Sequence, residues 1–196
     1  MWGFESLLGQ FSKAKKAVFV TRLVSIQSIS PNIVIDLRYA TRNNFLGEAI
    51  YSFTTCSLHE DAAHALHQAQ LTFEAVGLGL KVWDGFRPLS AQWKLWEKLP
   101  DERYVADPRK GGRHTRGTAV DLTLIDLTSG KELPMPTLFD DFSEKAHRDH
   151  TSSSQEARKN HLLLEKIMVA SGFAPYPTEW WHYDLAAWES YPVIPE

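Results

Sequence analysis

Leu58, Ala62, Ala65, Leu66, Ala69, Phe73 and Val76 recur at helical spacing, with neither Pro nor Gly between them, and so draw one apolar face. Ser57-Leu58-His59-Glu60 has the form of a capping box ahead of that face, and Gly77 follows it. The pattern therefore predicts a helix that opens at Ser57 and is stopped by Gly77. A second helix is predicted over residues 155–171, with Leu162, Leu163, Ile167 and Met168 on its apolar side and Gly172 at its end. Pro88 opens a shorter one, Leu89 to Leu99, which carries Trp93 and Trp96. Between the helices lie segments of strong β propensity: Asn32 to Leu37, Leu80 to Asp84, Ala119 to Ile125, and an aromatic strand within Phe173 to Asp184 entered through Pro175 and Pro177.

Polar, turn-forming segments join these elements. Asp126 to Pro136, with Gly130, reads as a hairpin connection or loop, and Ser143 to Ser154 as a polar stretch, mobile or locally ordered. Residues 1–30 have mixed polarity and read as an N-terminal arm, or a short helix followed by a strand. No internal repeat and no GxGxxG fingerprint appears. The expected fold is α+β, a single domain over residues 1–196 with a central, mainly antiparallel sheet flanked by helices.

Composition narrows the chemistry. The chain has 43% hydrophobic and 23% charged residues and a net charge of -3, so no broad basic surface awaits phosphates and nucleic acid is excluded as a leading partner. Arg113 with Arg116, and the run Lys13 to Lys16, are local features, solvated or orienting. Cys56 is the one cysteine, which rules out an intrachain disulfide and a thiolate-rich metal site and leaves a small buried hydrophobe as its expected role. Arg22 interrupts the apolar stretch Ala17 to Val20, a pattern that fits neither a normal signal peptide nor a membrane span, so the expected location is the cytoplasm, with the periplasm as the alternative if a signal peptide was removed.

Any metal must then use nitrogen and oxygen ligands. His114 lies seven residues before Asp121, and Gly117, Thr118 and Val120 argue for a loop entering a strand rather than a helix. Asp121 is the polar exception on a segment suited to burial; a metal, a salt bridge or a turn-supporting hydrogen bond would each satisfy it. His182 stands among Trp180, Trp181 and Tyr183, as a ligand or as a core histidine bonded to a carbonyl. Taken together, the three form a His/Asp/His set that leaves a fourth tetrahedral position open, as catalytic zinc requires.

Glu179 precedes His182 by three residues, and both line one site only if the backbone bends or Glu179 precedes the strand. It is the candidate general base and acid. Arg87, where the strand ending at Asp84 gives way to a loop, is a candidate for stabilising an oxyanion, with a structural pair to Asp84 as the alternative. His59, His64 and His67 read as surface polar residues on the first helix.

At this point the residues resemble a known family. Trp83-Asp84-Gly85-Phe86-Arg87-Pro88, the run from Gly112 to Leu124 and Glu179-Trp180-Trp181-His182-Tyr183 look like the D-alanyl-D-alanine dipeptidases, within the wider zinc D,D-peptidases. The resemblance implies one Zn2+ held by His114, Asp121 and His182, Glu179 as base and acid, and Arg87 at the transition state. It also implies Tyr39 as a pocket residue and Asp140 as the carboxylate that meets the free ammonium group of a small D,D-dipeptide. Two departures stand out: Gly112 occupies a position where the family often has serine, and Pro136 follows Met135 where glycine is common. The rival expectations are a D,D-carboxypeptidase or endopeptidase acting on longer peptidoglycan peptides, and a zinc-containing binding module without turnover.

Overall fold

The computed structural model describes residues 22–151 and 153–196. Lys13 to Lys16 and the first part of the expected arm lie outside the described residues. The remainder of that arm forms a strand, β1 (Leu23–Ser25), and one helical turn, α1 (Ile26–Ile29).

Five strands build the central sheet: β2 (Val34–Ile35), β4 (Leu78–Asp84), β5 (Ala119–Asp126), β6 (Phe173–Pro175) and β7 (His182–Leu185), in the order β2-β4-β5-β7-β6. All its pairings are antiparallel except β2 with β4. β5 is buried from Ala119 to Ile125 and forms the middle of the sheet. Helices α2 (Glu60–Glu74) and α4 (Gln155–Ala170) pack on each other, α2 against β4 and α4 against β5 and β6; α3 (Leu89–Lys98) follows the loop after β4. The mixed α+β fold with a mainly antiparallel sheet is thus as expected.

Several local expectations are corrected. The capping box does not form, because Ser57–His59 is strand β3, paired with β1, and the helix starts at Glu60. The side chain of His59 caps it instead, accepting from the Asp61 N–H. His59 is buried, not a surface residue; its own N–H donates to the Gly117 carbonyl at 2.7 Å. His64 is exposed, as expected. The segment Asn32 to Leu37 keeps only two strand residues. On α4, Leu162 faces solvent, and the buried side is Ala157, Asn160, His161, Leu164 and Met168.

The aromatic strand divides into β6 and β7, separated by a turn that contains Glu179. Within Ser143 to Ser154, Glu144–Ala146 forms a single 3-10 turn. Cys56 is buried, and burial holds its thiol well above the usual range, in keeping with an inert hydrophobe. Among the described residues no helix is long and apolar enough to cross a membrane.

Candidate active site

Sheet register sets the first part of the site. Asp84 on β4 pairs with Asp121 on β5, which pairs in turn with His182 on β7, so three polar residues form one row across adjacent strands. His114 enters from the 3-10 turn His114–Arg116 just before β5, closed by Gly117 at φ 67°. That turn needs glycine twice over: the positive φ is strained for other residues, and a Cβ there would come within 2.9 Å of the His59 nitrogen.

Hydrogen bonding selects the nitrogen that each histidine presents. His114 Nδ1 lies 2.8 Å from the Gly85 carbonyl and must donate to it, which leaves Nε2 as a lone pair. His182 Nε2 lies 2.8 Å from Asp184 Oδ1, which leaves Nδ1. Those two lone-pair nitrogens are 3.2 Å apart; Asp121 stands 2.9 Å from the His182 nitrogen and 3.4 Å from that of His114. With both imidazoles neutral, three buried acceptors converge with no hydrogen between them, an arrangement that a proton or a metal cation relieves. Ligand atoms around a tetrahedral zinc, with bonds of about 2.0–2.1 Å, lie about 3.3 Å apart. The spacing found here fits that set, and the triad is capable of holding a metal ion.

The electrostatics agree. Burial opposes the ionisation of Asp121, but His114 and His182 outweigh it and hold the carboxyl well below the usual range. Burial likewise opposes charge on His182, yet Asp184 and Asp121 carry it up to about 10. The surroundings therefore call for positive charge at this point.

The turn ahead of β7 brings Glu179 into the same place, with its carboxylate 3.7 Å from His182 Nδ1. The backbone bend expected from Pro177 is present, and burial pushes Glu179 up to about 8. Arg87 follows β4. Its Nε and Nη2 both bond Asp84 Oδ2, at 2.9 and 2.6 Å, and its Nη1 bonds Gln92 at 2.9 Å. The alternative Asp84 pair is thus real, and it fixes the guanidinium inside the cleft, 3.9 Å from Asp121 and stacked over Tyr39.

Asp140 faces the cleft beside Tyr39, which donates to it at 2.8 Å; the Phe45 N–H approaches its other oxygen at 3.4 Å. Its backbone sits at φ 60°, a left-handed conformation that aspartate tolerates better than most residues. Burial raises its carboxyl to about 7. All seven residues singled out from the sequence line this one cleft.

Two supporting residues escaped the sequence reading. Asp184 stands two residues after His182 on a strand, hence on the same face, and that alternation would have found it. Arg148 is the other. Its guanidinium donates to the carbonyls of Tyr176, Trp180 and His182 at 2.7, 3.0 and 2.8 Å, and so gathers the turn that carries Glu179. Nothing local in its polar stretch signals that role.

A family model described as D-ala-D-ala dipeptidase matches residues 20–192. The D-alanyl-D-alanine dipeptidase of Escherichia coli (strain K12) is 42% identical over 89% of this chain and 90% of its own length. That of Enterococcus faecalis is 34% identical over 80% and 87%, and that of Streptomyces coelicolor 35% over 85% and 90%. A solved structure of a vancomycin resistance D,D-pentapeptidase, VanY, aligns with 71% of this chain and 78% of its own at 16% identity and a TM-score of 0.45, too loose a likeness to carry chemistry across. With the ordered motifs and the His/Asp/His triad in place, the chain belongs to the D-Ala-D-Ala dipeptidase family of zinc D,D-peptidases.

Proposed function

We propose that this protein is a zinc-dependent dipeptidase that hydrolyses D-alanyl-D-alanine. The observation that carries the dipeptide reading is Asp140: a half-buried carboxylate lining the cleft whose two hydrogen-bond donors, the Tyr39 hydroxyl and the Phe45 N–H, are both neutral. An ionised carboxylate in such a place needs a cation, and the free ammonium group of a dipeptide supplies one. An acylated or longer peptide has no ammonium there and would leave the charge unpaired.

Zinc held by His114 Nε2, Asp121 and His182 Nδ1 would act as a Lewis acid, bringing the pKa of a water toward ~7 and polarising the scissile carbonyl. The chain's own groups do the rest. Glu179, buried beside the open side of the triad, accepts a proton from the attacking water and returns it to the departing amine nitrogen. Arg87 is held rigid by Asp84 and Gln92 and directs a remaining N–H at the carbonyl oxygen as negative charge develops there. Tyr39 orients Asp140 through its hydroxyl and packs against Arg87 through its ring, which ties the amino-end pocket to the oxyanion side. No covalent intermediate is required.

Replacing Glu179 tests the assignment of roles. The E179A variant is expected to keep its zinc while turnover of D-alanyl-D-alanine falls about 100-fold or more, the range of a lost general base. Unchanged turnover would remove Glu179 from this role. A zinc-loaded wild type with no turnover would instead favour a binding module.

A further inference from the structure

Besides imidazoles, the cations lining the cleft among the described residues are Arg87 and Arg113. A D,D-peptide substrate brings a terminal carboxylate as well as a carbonyl to polarise, and the two guanidiniums are not equally free to meet it. Arg87 spends its two-pronged Nε/Nη2 edge on Asp84 and one Nη1 hydrogen on Gln92. What remains to it is one N–H on each Nη, and Nη2 already lies 3.9 Å from Asp121.

Arg113 is placed differently. Its guanidinium carbon lies 4.7 Å from the ring centroids of both Tyr176 and Trp188, so two aromatic rings hold it. Its Nε lies 2.9 Å from Asp184 Oδ2, an ion pair without hydrogen-bond alignment, and no other carboxylate pairs with it among the described residues. The Tyr176 side chain also interacts with it by hydrogen bonding, and the rest of its N–H groups remain for a ligand. The side chain stays 27% accessible, at the mouth of the cleft and one residue from the ligand candidate His114. The two ring contacts and the ion pair to Asp184 hold this guanidinium in place before any ligand arrives, which lowers the ordering cost of binding. Arg113 and Asp140 also share no hydrogen-bond or ring partner: one is held by Tyr176, Trp188 and Asp184, the other by Tyr39 and Phe45.

We propose that Arg113 is the carboxylate-binding residue of the site, taking the terminal carboxylate of the D,D-peptide on its guanidinium. The assignment rests on the D,D-peptide reading above but not on the length of the peptide. It gives the cleft a fixed cation in addition to the Asp140 carboxylate, the two charges that a zwitterionic peptide requires.

The test compares D-alanyl-D-alanine with its C-terminal amide on zinc-loaded wild type, R113A and R113K, with zinc content measured in each. The ratio of kcat/KM for the acid to that for the amide is expected to fall about 10–100-fold in R113A, mostly through KM, as for one lost charge-assisted contact. R113K should recover part of it. Damage passed through Asp184 to His182 would instead lower both substrates alike and reduce zinc content. That outcome, or an unchanged ratio, overturns the Arg113 assignment while the dipeptidase reading stands. A wild type that leaves D-alanyl-D-alanine intact overturns both.

Discussion

His182 and Asp184 lie two residues apart on one strand, and the 2.8 Å contact between Nε2 and Oδ1 turns the other imidazole nitrogen toward Asp121 and His114. Asp184 thus orients a ligand candidate that it does not replace. Substituting it by asparagine removes the charge while keeping the shape. Zinc affinity, measured by competition with a chromophoric chelator, is expected to fall about 10–100-fold in D184N, the usual effect of losing such a supporting carboxylate. An affinity equal to that of the wild type would mean that His182 is oriented by the strand alone.

In the proposed reading, Asp140 gives the site a pH dependence that belongs to binding. Burial raises it to about 7, helped by Asp121 and opposed by the Tyr39 hydroxyl and Arg87; Glu179 also faces it. Only the ionised form can meet an ammonium group. The kcat/KM for D-alanyl-D-alanine should therefore rise with pH in two steps, through about 8 where Glu179, the general base, ionises, and through about 7 where Asp140 does. D140N should lose the Asp140 limb along with most of its affinity for the free dipeptide. The sign for stability is opposite: from 3.8 up to about 7 the folded chain holds a proton that the unfolded chain releases, so this group weakens the fold as the pH rises.

Arg148 holds a segment without regular structure by its carbonyls and is itself braced by Glu165 at 2.9 Å and by the Tyr183 ring. Removing it leaves three carbonyls of the Glu179 turn without that donor, at about 1–3 kcal/mol for each that water cannot reach. R148A should lower the thermal midpoint by several degrees and make the turn from Tyr176 to His182 exchange its amide hydrogens faster than the strands do. Exchange that accelerates evenly across the sheet would show a general loss of stability and not a local one.

The sequence made the site more legible than the architecture around it. His114, Asp121, Glu179 and His182 stand out because each is a polar residue set in apolar or turn-rich surroundings, and ordered motifs gave their relation. The strand row Asp84, Asp121 and His182 was not readable, since register depends on pairings between residues far apart in sequence. At Ser57 to His59 a strand pairing with β1 overrode a sound capping signal. Leu162 misled because periodicity gives a face but not its depth, and the packing surface of α4 is centred on His161 and Leu164. Arg148 was invisible for a different reason: its partners are backbone carbonyls, which any sequence supplies.

The central claim is that the amino end of the substrate must be a free ammonium group seated on Asp140. The most direct measurement is the hydrolysis of D-alanyl-D-alanine against its N-acetyl derivative by the zinc-loaded protein under identical conditions. Rapid cleavage of the free dipeptide with the acetylated one about 10–100-fold slower is expected, from the loss of a charge-assisted contact of about 1.5–3 kcal/mol. Comparable rates on the two would contradict the dipeptidase reading and identify a D,D-peptidase of longer substrates.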